Sequence, residues 1–283
     1  MSRVRKRIAV LFHRQDYKIP ASLYIVDRLA QCWREDGHDV LYLYGTKVRV
    51  EADLLLVHVN LSVVPEEYLT FASHYPVALN AQLRNIKKSV ISGNIVSPGD
   101  SWAGPVIVKS DLNYGGSPEQ YLTQSRIEQA ARRAVARLTG RQLFDDWKRY
   151  RVFDSPREVP RAVFKRQDVV VERFLPEYED GLFHMRVYQV LGDRSTCTRL
   201  ASHYPVFKAS MSVSSEPVDP HPAVEEWRKQ LKLDYGKLDY LLHEGHPVLI
   251  DVNKTTGAST VMGNAPLPAM RRQLAEGLYS YFS

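Results

Sequence analysis

The chain has 283 residues, 44% hydrophobic and 25% charged, which is close to the average of a folded globular protein and excludes a disordered or fibrous chain. No apolar run approaches the roughly 18 residues of a membrane-spanning helix. The apolar part of the start, MSRVRKRIAVLF, stops at His13, too short for the core of a signal peptide. A cytoplasmic protein of two domains, or of one domain with a large appendage, is therefore expected. Cys32 and Cys197 are the only cysteines, too few for a disulfide framework or a cysteine-rich zinc site. The net charge is +6, and between positions 126 and 173 there are 13 basic and 7 acidic residues, so this segment carries the whole excess. Either it forms a local site for an anionic ligand or it is a solvated basic helix face. No aromatic residues interleave with the arginines of 126–141, so a nucleic-acid surface is not favoured.

The first eighty residues alternate in a βα manner. Residues 8–12 read as a buried strand. Residues 21–36 read as a helix with Ile25, Val26, Leu29, Cys32 and Trp33 on one face and Gly37 at its stop. Strands follow at 40–44, 54–59 and 77–79, with a short helix at 65–73. Strands separated by helices imply a doubly wound parallel sheet. No GxGxxG follows the first strand, so a dinucleotide site is not indicated. Ligands of such sheets collect beyond the carboxyl ends of the strands. His13, Tyr17, His58, Asn60 and Asn80 fall there, as substrate contacts or as plain caps of strands and helices.

The pattern then changes. A short strand at 106–109 ends in Lys109 and is followed by NYGGSPE, in which Gly115 and Gly116 free the backbone to approach phosphates closely. Positions 117–120 read as a capping box that opens a basic helix reaching Leu138. Further strands are expected at 169–172, 185–191, 196–202, 238–242 and 248–252. HEGH (243–246) is a hairpin turn rather than a zinc helix, and 207–221 is a loop. Asp251 and Asn253, two apart on a strand, share a face. Asp239 on the neighbouring strand can lie opposite them. Three hard oxygen donors suit Mg²⁺.

The order of lysine strand, glycine loop, VVERFLPE, RVYQVLGD and then D…DVN resembles the ATP-grasp superfamily over roughly 80–263. D-alanine–D-alanine ligases and ribosomal-protein glutamate ligases have the most similar patterns. The resemblance implies an α/β (α+β) ATP-grasp fold behind an N-terminal doubly wound βα domain. The N-terminal domain would be 1–80 and the ATP-grasp domain 81–283, with a lid at about 103–175 and a metal-binding part at about 176–283. It implies ATP and two Mg²⁺ ions as cofactors, with Lys109 on the α and β phosphates and Lys87 or Lys88 as an earlier phosphate lysine. The backbone of Glu172, Arg173, Phe174 and Leu175 would read adenine, and Glu179 or Asp180 the ribose. Asp239, Asp251 and Asn253 would hold the metals. Lys237 and the N–H of Gly257 would bind an oxyanion, and Arg186 and Arg199 would face an acyl phosphate. The chain departs from the family in having Asp251 where Glu is usual, Lys237 where the D-alanine ligases have Arg, and no proline in NKTTG. The implied activity is an ATP-dependent carboxylate–amine ligase using small polar substrates, with no membrane partner and with room for a homodimer. A kinase acting on a hydroxyl and a nucleotide-binding module without turnover are the alternatives.

Overall fold

A computed structural model describes residues 4–144, 146–258 and 267–282. The strands in chain order are β1 (Arg7–Phe12), β2 (Asp39–Tyr44), β3 (Leu54–His58), β4 (Ala78–Leu79), β5 (Val106–Ser110), β6 (Arg151–Phe153), β7 (Val169–Arg173), β8 (Glu177–Glu179), β9 (Leu182–Leu191), β10 (Arg194–Ser202), β11 (Ser214–Pro217), β12 (Tyr235–His243) and β13 (His246–Asn253). The α-helices are α1 (Ile25–Glu35), α2 (Glu66–Ala72), α3 (Lys88–Ile91), α4 (Ser117–Thr123), α5 (Arg126–Leu138), α6 (Arg161–Phe164), α7 (Pro222–Leu231) and α8 (Leu267–Glu276). They form two compact units, one of Met1–Asn60, Val64–Arg84 and Pro176–Ser283, the other of Leu61–Val63 and Asn85–Leu175.

The first unit holds a parallel sheet in the order β2-β1-β3-β4. Its central strands are buried throughout from Ile8 to Phe12 and from Leu54 to His58, as expected of parallel strands covered on both faces. The chain leaves β1 for β2 on one side and returns to β3 on the other. The carboxyl ends of β1 and β3 therefore flank a topological switch point, where open α/β sheets bind ligands. α1 turns Ile25, Val26, Leu29, Ala30 and Trp33 inward. These join Ile8, Val10, Leu54 and Leu56, together with Leu274 and Leu278 from the chain's end, in one core. Trp33 donates its indole N–H to Ala275 O at 2.9 Å. The same unit contains an antiparallel sheet in the order β11-β10-β9-β12-β13, with β8 also paired to β9. The second unit is built on the antiparallel sheet β6-β5-β7, over a core that includes Val106, Val108, Phe144, Val169 and Val171.

Several expected elements change. The helix expected at 21–36 begins only at Ile25, because Tyr24 is extended and pairs in an antiparallel bridge with Gly257. The expected capping box at Ser117 is absent. Ser117 has helical dihedrals, the N-cap is the left-handed Gly116, and Glu119 accepts from Ser62 N–H instead. That helix stops at Thr123, and the reciprocal box is made by Ser125 and Glu128 at the start of α5. The expected loop at 207–221 contains the edge strand β11, and the edge strands β6 and β8 add to those read from sequence.

The β9–β10 turn shows how closely this unit is packed. A Cβ on Gly192, at φ +56°, would meet Gly277 O at 2.2 Å and Ser280 Oγ at 2.6 Å. Gly192→Ala should therefore destabilise the fold by more than about 2 kcal/mol, from left-handed strain plus overpacking. Urea denaturation against wild type checks this.

Candidate functional site

Residues directly opposed in an antiparallel pair project from the same face. In β12–β13, Asp239 opposes Asp251 and Lys237 opposes Asn253. One sheet face thus gathers a lysine, two carboxylates and an amide. Lys237 Nζ pairs with Asp239 Oδ2 at 2.5 Å, and both residues are buried. A buried carboxylate costs several kcal/mol unless neutralised, and here the ammonium supplies the opposite charge. Among the described residues no three His, Cys, Asp or Glu side chains cluster as a metal site; the expected set has only two acids, completed by an amide oxygen. Across the other edge of β12, Lys237 opposes Gln189 of β9. Gln189 is 3% exposed, and both atoms of its amide are buried without a hydrogen-bond partner. Sequence reasoning missed this residue, which looks like an ordinary position of an apolar strand.

After β13, Lys254, Thr255 and Thr256 are buried, and the loop is tied to the residues that follow the parallel strands. Thr255 donates its N–H to Asn253 Oδ1 at 2.8 Å, and its hydroxyl donates to Asn60 Oδ1 at 2.8 Å. Asn60 Nδ2 donates to Tyr24 Oη at 3.3 Å, and Tyr24 donates to Asp16 Oδ1 at 3.2 Å. Ile25 N–H to Thr256 O and Ala258 N–H to Leu23 O close the Tyr24–Gly257 bridge. In a bridge closed this way, the N–H of Gly257 points away from its partner strand. Of the five strand-end residues expected to bind substrate, Asn60 is the one joined to the Asn253 loop.

The others have different surroundings. Tyr17 is exposed on a short 3-10 turn. His13 is buried, its Nδ1 accepts from Gln15 N–H, and burial lowers its pKa to about 4. His58 is fully buried among the rings of Phe12, Tyr24 and Tyr235, and burial lowers it to about 3. Both of its ring nitrogens are buried without a hydrogen-bond partner. Asn80, at φ +57°, clamps the start of β12. Its Oδ1 accepts from Asp234 N–H and Tyr235 N–H at 2.9 and 3.1 Å, and its Nδ2 donates to Tyr235 O at 2.8 Å. The amide is spent on the fold rather than on a substrate. Asn80→Ala should cost about 3 kcal/mol, because it orphans buried backbone groups. Equilibrium denaturation reads this out.

Arg186 and Arg199, expected to face an acyl phosphate, do not share the sheet face of Asp239. Arg186 opposes Arg199 across β9–β10, whereas Asp239 opposes Val187, one residue along. Side chains alternate between faces, so both arginines project from the face opposite Asp239. There they are held by acids. Arg186 pairs with Glu177, and Arg199 pairs with Glu177 at 3.3 Å and also with Glu179. Glu179, expected to bind the ribose, pairs with Arg199 and keeps its side chain 59% exposed. Asp180 sits at φ +51° in the β8–β9 turn.

In the second unit, Lys109 Nζ pairs with Glu172 Oε2 at 2.6 Å, and both side chains are buried. Lys87 pairs with Asp111 at 2.6 Å. Lys88 is buried and donates to Leu112 O at 3.3 Å, at the entry to the glycine loop. Gly115 and Gly116 have φ +67° and +78°. The N–H groups of Arg173 and Phe174 donate to Asn94 O and Pro105 O. Two of the amides expected to read adenine are thus bonded inside this unit, and Leu175 is its last residue.

Asp16 yields a pH prediction. Burial raises its pKa from 3.8 to about 6, against the lowering effect of the Tyr24 hydrogen bond. The folded state therefore holds the proton more tightly than the unfolded chain. This contribution to stability is complete below pH 4 and is lost as pH rises through 4 to 6. Asp16→Asn should raise the melting temperature relative to wild type at pH 8 and leave it nearly unchanged at pH 4. Thermal scans at the two pH values check it.

No protein-family model and no curated protein matches the sequence. Among solved structures, D-alanine–D-alanine ligase from Bacillus anthracis is similar at a TM-score of 0.50 and 10% identity, over 98% of this chain and 97% of that one. A RiPP-associated ATP-grasp ligase from Chryseobacterium gregarium, in complex with ADP and a leader and core peptide, is similar at a TM-score of 0.54 and 8% identity, over 96% of each chain. The chain has the ATP-grasp fold. Among the described residues no helix is long and apolar enough to cross a membrane.

Proposed function

We propose that the chain is an ATP-dependent carboxylate–amine ligase that forms an amide through an acyl phosphate. The observation that carries this reading is the single face of β12–β13 on which Lys237, Asp239, Asp251 and Asn253 stand in register. Two carboxylates and an amide oxygen are the hard donors that Mg²⁺ takes, with its remaining positions left to water and phosphate. The ammonium of Lys237 on Asp239 marks a place where the fold already requires positive charge. Bound Mg²⁺ would neutralise the charge that develops on the transferred phosphoryl group.

The chain's own residues have separable tasks. Asp239, Asp251 and Asn253 hold the metal. Lys109 and either Lys87 or Lys88 neutralise nucleotide phosphates. Lys237 and the N–H of Gly257 would be the donors to the oxyanion of the tetrahedral intermediate. The arginine of the D-alanine ligases is a fork, whereas Lys237 is a point charge, so its placement relies on Asp239. Small polar carboxylates and amines are the substrate class of this reading.

Incubation with ATP, Mg²⁺ and a panel of carboxylates and amines should yield ADP, phosphate and an amide detectable by mass. ADP with a phosphomonoester, and no amide, would overturn the ligase reading in favour of a kinase. Asp251→Asn should lower turnover by more than about 100-fold, beyond the usual effect of residues that merely support a metal ligand. Circular dichroism should confirm that the variant is folded.

A further inference from the structure

We propose that Asn60, held by Tyr24 and Asp16, is a positioning residue for the metal ligand Asn253, acting by drawing the proton of the Thr255 hydroxyl away from it. The inference rests on the assignment of Asn253 as a metal ligand and adds a role for three residues from the parallel sheet and its loops.

A hydroxyl has one proton to give. Thr255 Oγ1 has two acceptors in reach, Asn60 Oδ1 at 2.8 Å and Asn253 Oδ1 at 3.3 Å. The shorter contact takes the proton. Asn253 Oδ1 already accepts from Thr255 N–H at 2.8 Å, which fixes its amide with oxygen toward the loop. A carbonyl oxygen has two lone pairs. A second proton from Thr255 would compete directly with a cation at that oxygen, and Asn60 prevents this.

The orientation of Asn60 is set in turn. Its Nδ2 donates to Tyr24 Oη at 3.3 Å, and Tyr24 donates to Asp16 Oδ1 at 3.2 Å. An ionised carboxylate is acceptor-only. Asp16 therefore fixes the direction of the chain: Thr255 gives to Asn60, Asn60 to Tyr24, Tyr24 to Asp16. A flipped Asn60 would present a donor to Thr255 and an acceptor to Tyr24, and the order would fail. Asp16, Asn60 and Thr255 are all buried, so bulk water does not rearrange the order cheaply. Asp16 and Asn60 follow the ends of β1 and β3, at the switch point of the sheet.

The test is Mn²⁺ binding to the full chain at pH 8 in the presence of ADP, read by the loss of free Mn²⁺ signal in electron paramagnetic resonance. Asn60→Leu removes the acceptor, and the hydroxyl proton should turn to Asn253. The Mn²⁺ dissociation constant should rise about 10-fold or more, the range known for partners of metal ligands. The double variant Asn60→Leu/Thr255→Val removes the misdirected proton as well and should recover most of the affinity. A merely structural role for Asn60 predicts no such recovery. Tyr24→Phe, which keeps the ring and loses the hydroxyl, should weaken Mn²⁺ binding with the fold intact, and serves if the Asn60 variants do not fold. Wild-type Mn²⁺ affinity in Asn60→Leu or in Tyr24→Phe would overturn the inference, as would a double variant no better than Asn60→Leu. Wild-type protein that binds no Mn²⁺ with ADP would instead overturn the metal-site assignment itself.

Discussion

Opposed residues of antiparallel strands share a face, and in β12–β13 that rule brings a lysine, two aspartates and an asparagine together. Everything chemical in the first unit depends on this register. A slip of one residue between the two strands would part Lys237 and Asp239 from Asp251 and Asn253. The pair is buried, so neither charge could be left alone without a penalty of several kcal/mol. The same rule separates groups that sequence order suggests are companions. Arg186 and Arg199 stand on the far face, where Glu177 and Glu179 engage them.

Long-range contacts fix this hairpin region at both ends. β12 starts where Asn80 clamps Asp234 and Tyr235, and the loop after β13 is stapled to the start of α1 through the Tyr24–Gly257 bridge. Both ends of the hairpin region are thus fixed by the parallel sheet. The position of Asn253 is a long-range property of the chain. Among its immediate neighbours in sequence, Thr255 supplies an N–H to its Oδ1.

The buried strands were legible because they are apolar runs with clear ends: IAVLF, LLLVH and VVVER stand out at any window length. The hairpin turn was legible from Glu244-Gly245, both at positive φ. The edge strands β6, β8 and β11 were not, since their residues are polar or exposed and their pairing is decided by the neighbouring strand. Asp251 and Asn253 could be grouped from spacing alone, because alternation along one strand puts them on one face, whereas placing Asp239 with them also needed the hairpin. The face of Arg186 could not, because that needs the register of β9 against β12, which no local pattern encodes. Asn80 and His58 show the other limit. A polar residue at a strand end has the same sequence signature whether it contacts a ligand, clamps a backbone or fills a core.

The basic segment illustrates how a charge count and a charged site differ. Its excess of arginine and lysine was open to two readings, an anion site or a solvated face. α5 keeps Arg126, Arg133 and Arg137 exposed and buries only Ala136, as a solvated helix does. Beyond it, Arg166 donates to both oxygens of Asp168 at 2.9 and 2.8 Å and to Gln142 O at 2.7 Å, and lies 5.2 Å from the ring of Phe144. Arg141 takes the same carboxylate at 2.8 Å. Those two guanidiniums hold Asp168 ionised, with its pKa down to about 2 despite the opposing effect of burial. Their donors tie the turn before β7 to the end of α5, and a guanidinium spent on three acceptors has little left for a ligand. The ammonium groups that stay buried among the described residues of this unit are instead those of Lys88 and of Lys109 on β5. Where a charge sits and what already holds it decide whether it can serve a ligand, and the total does not.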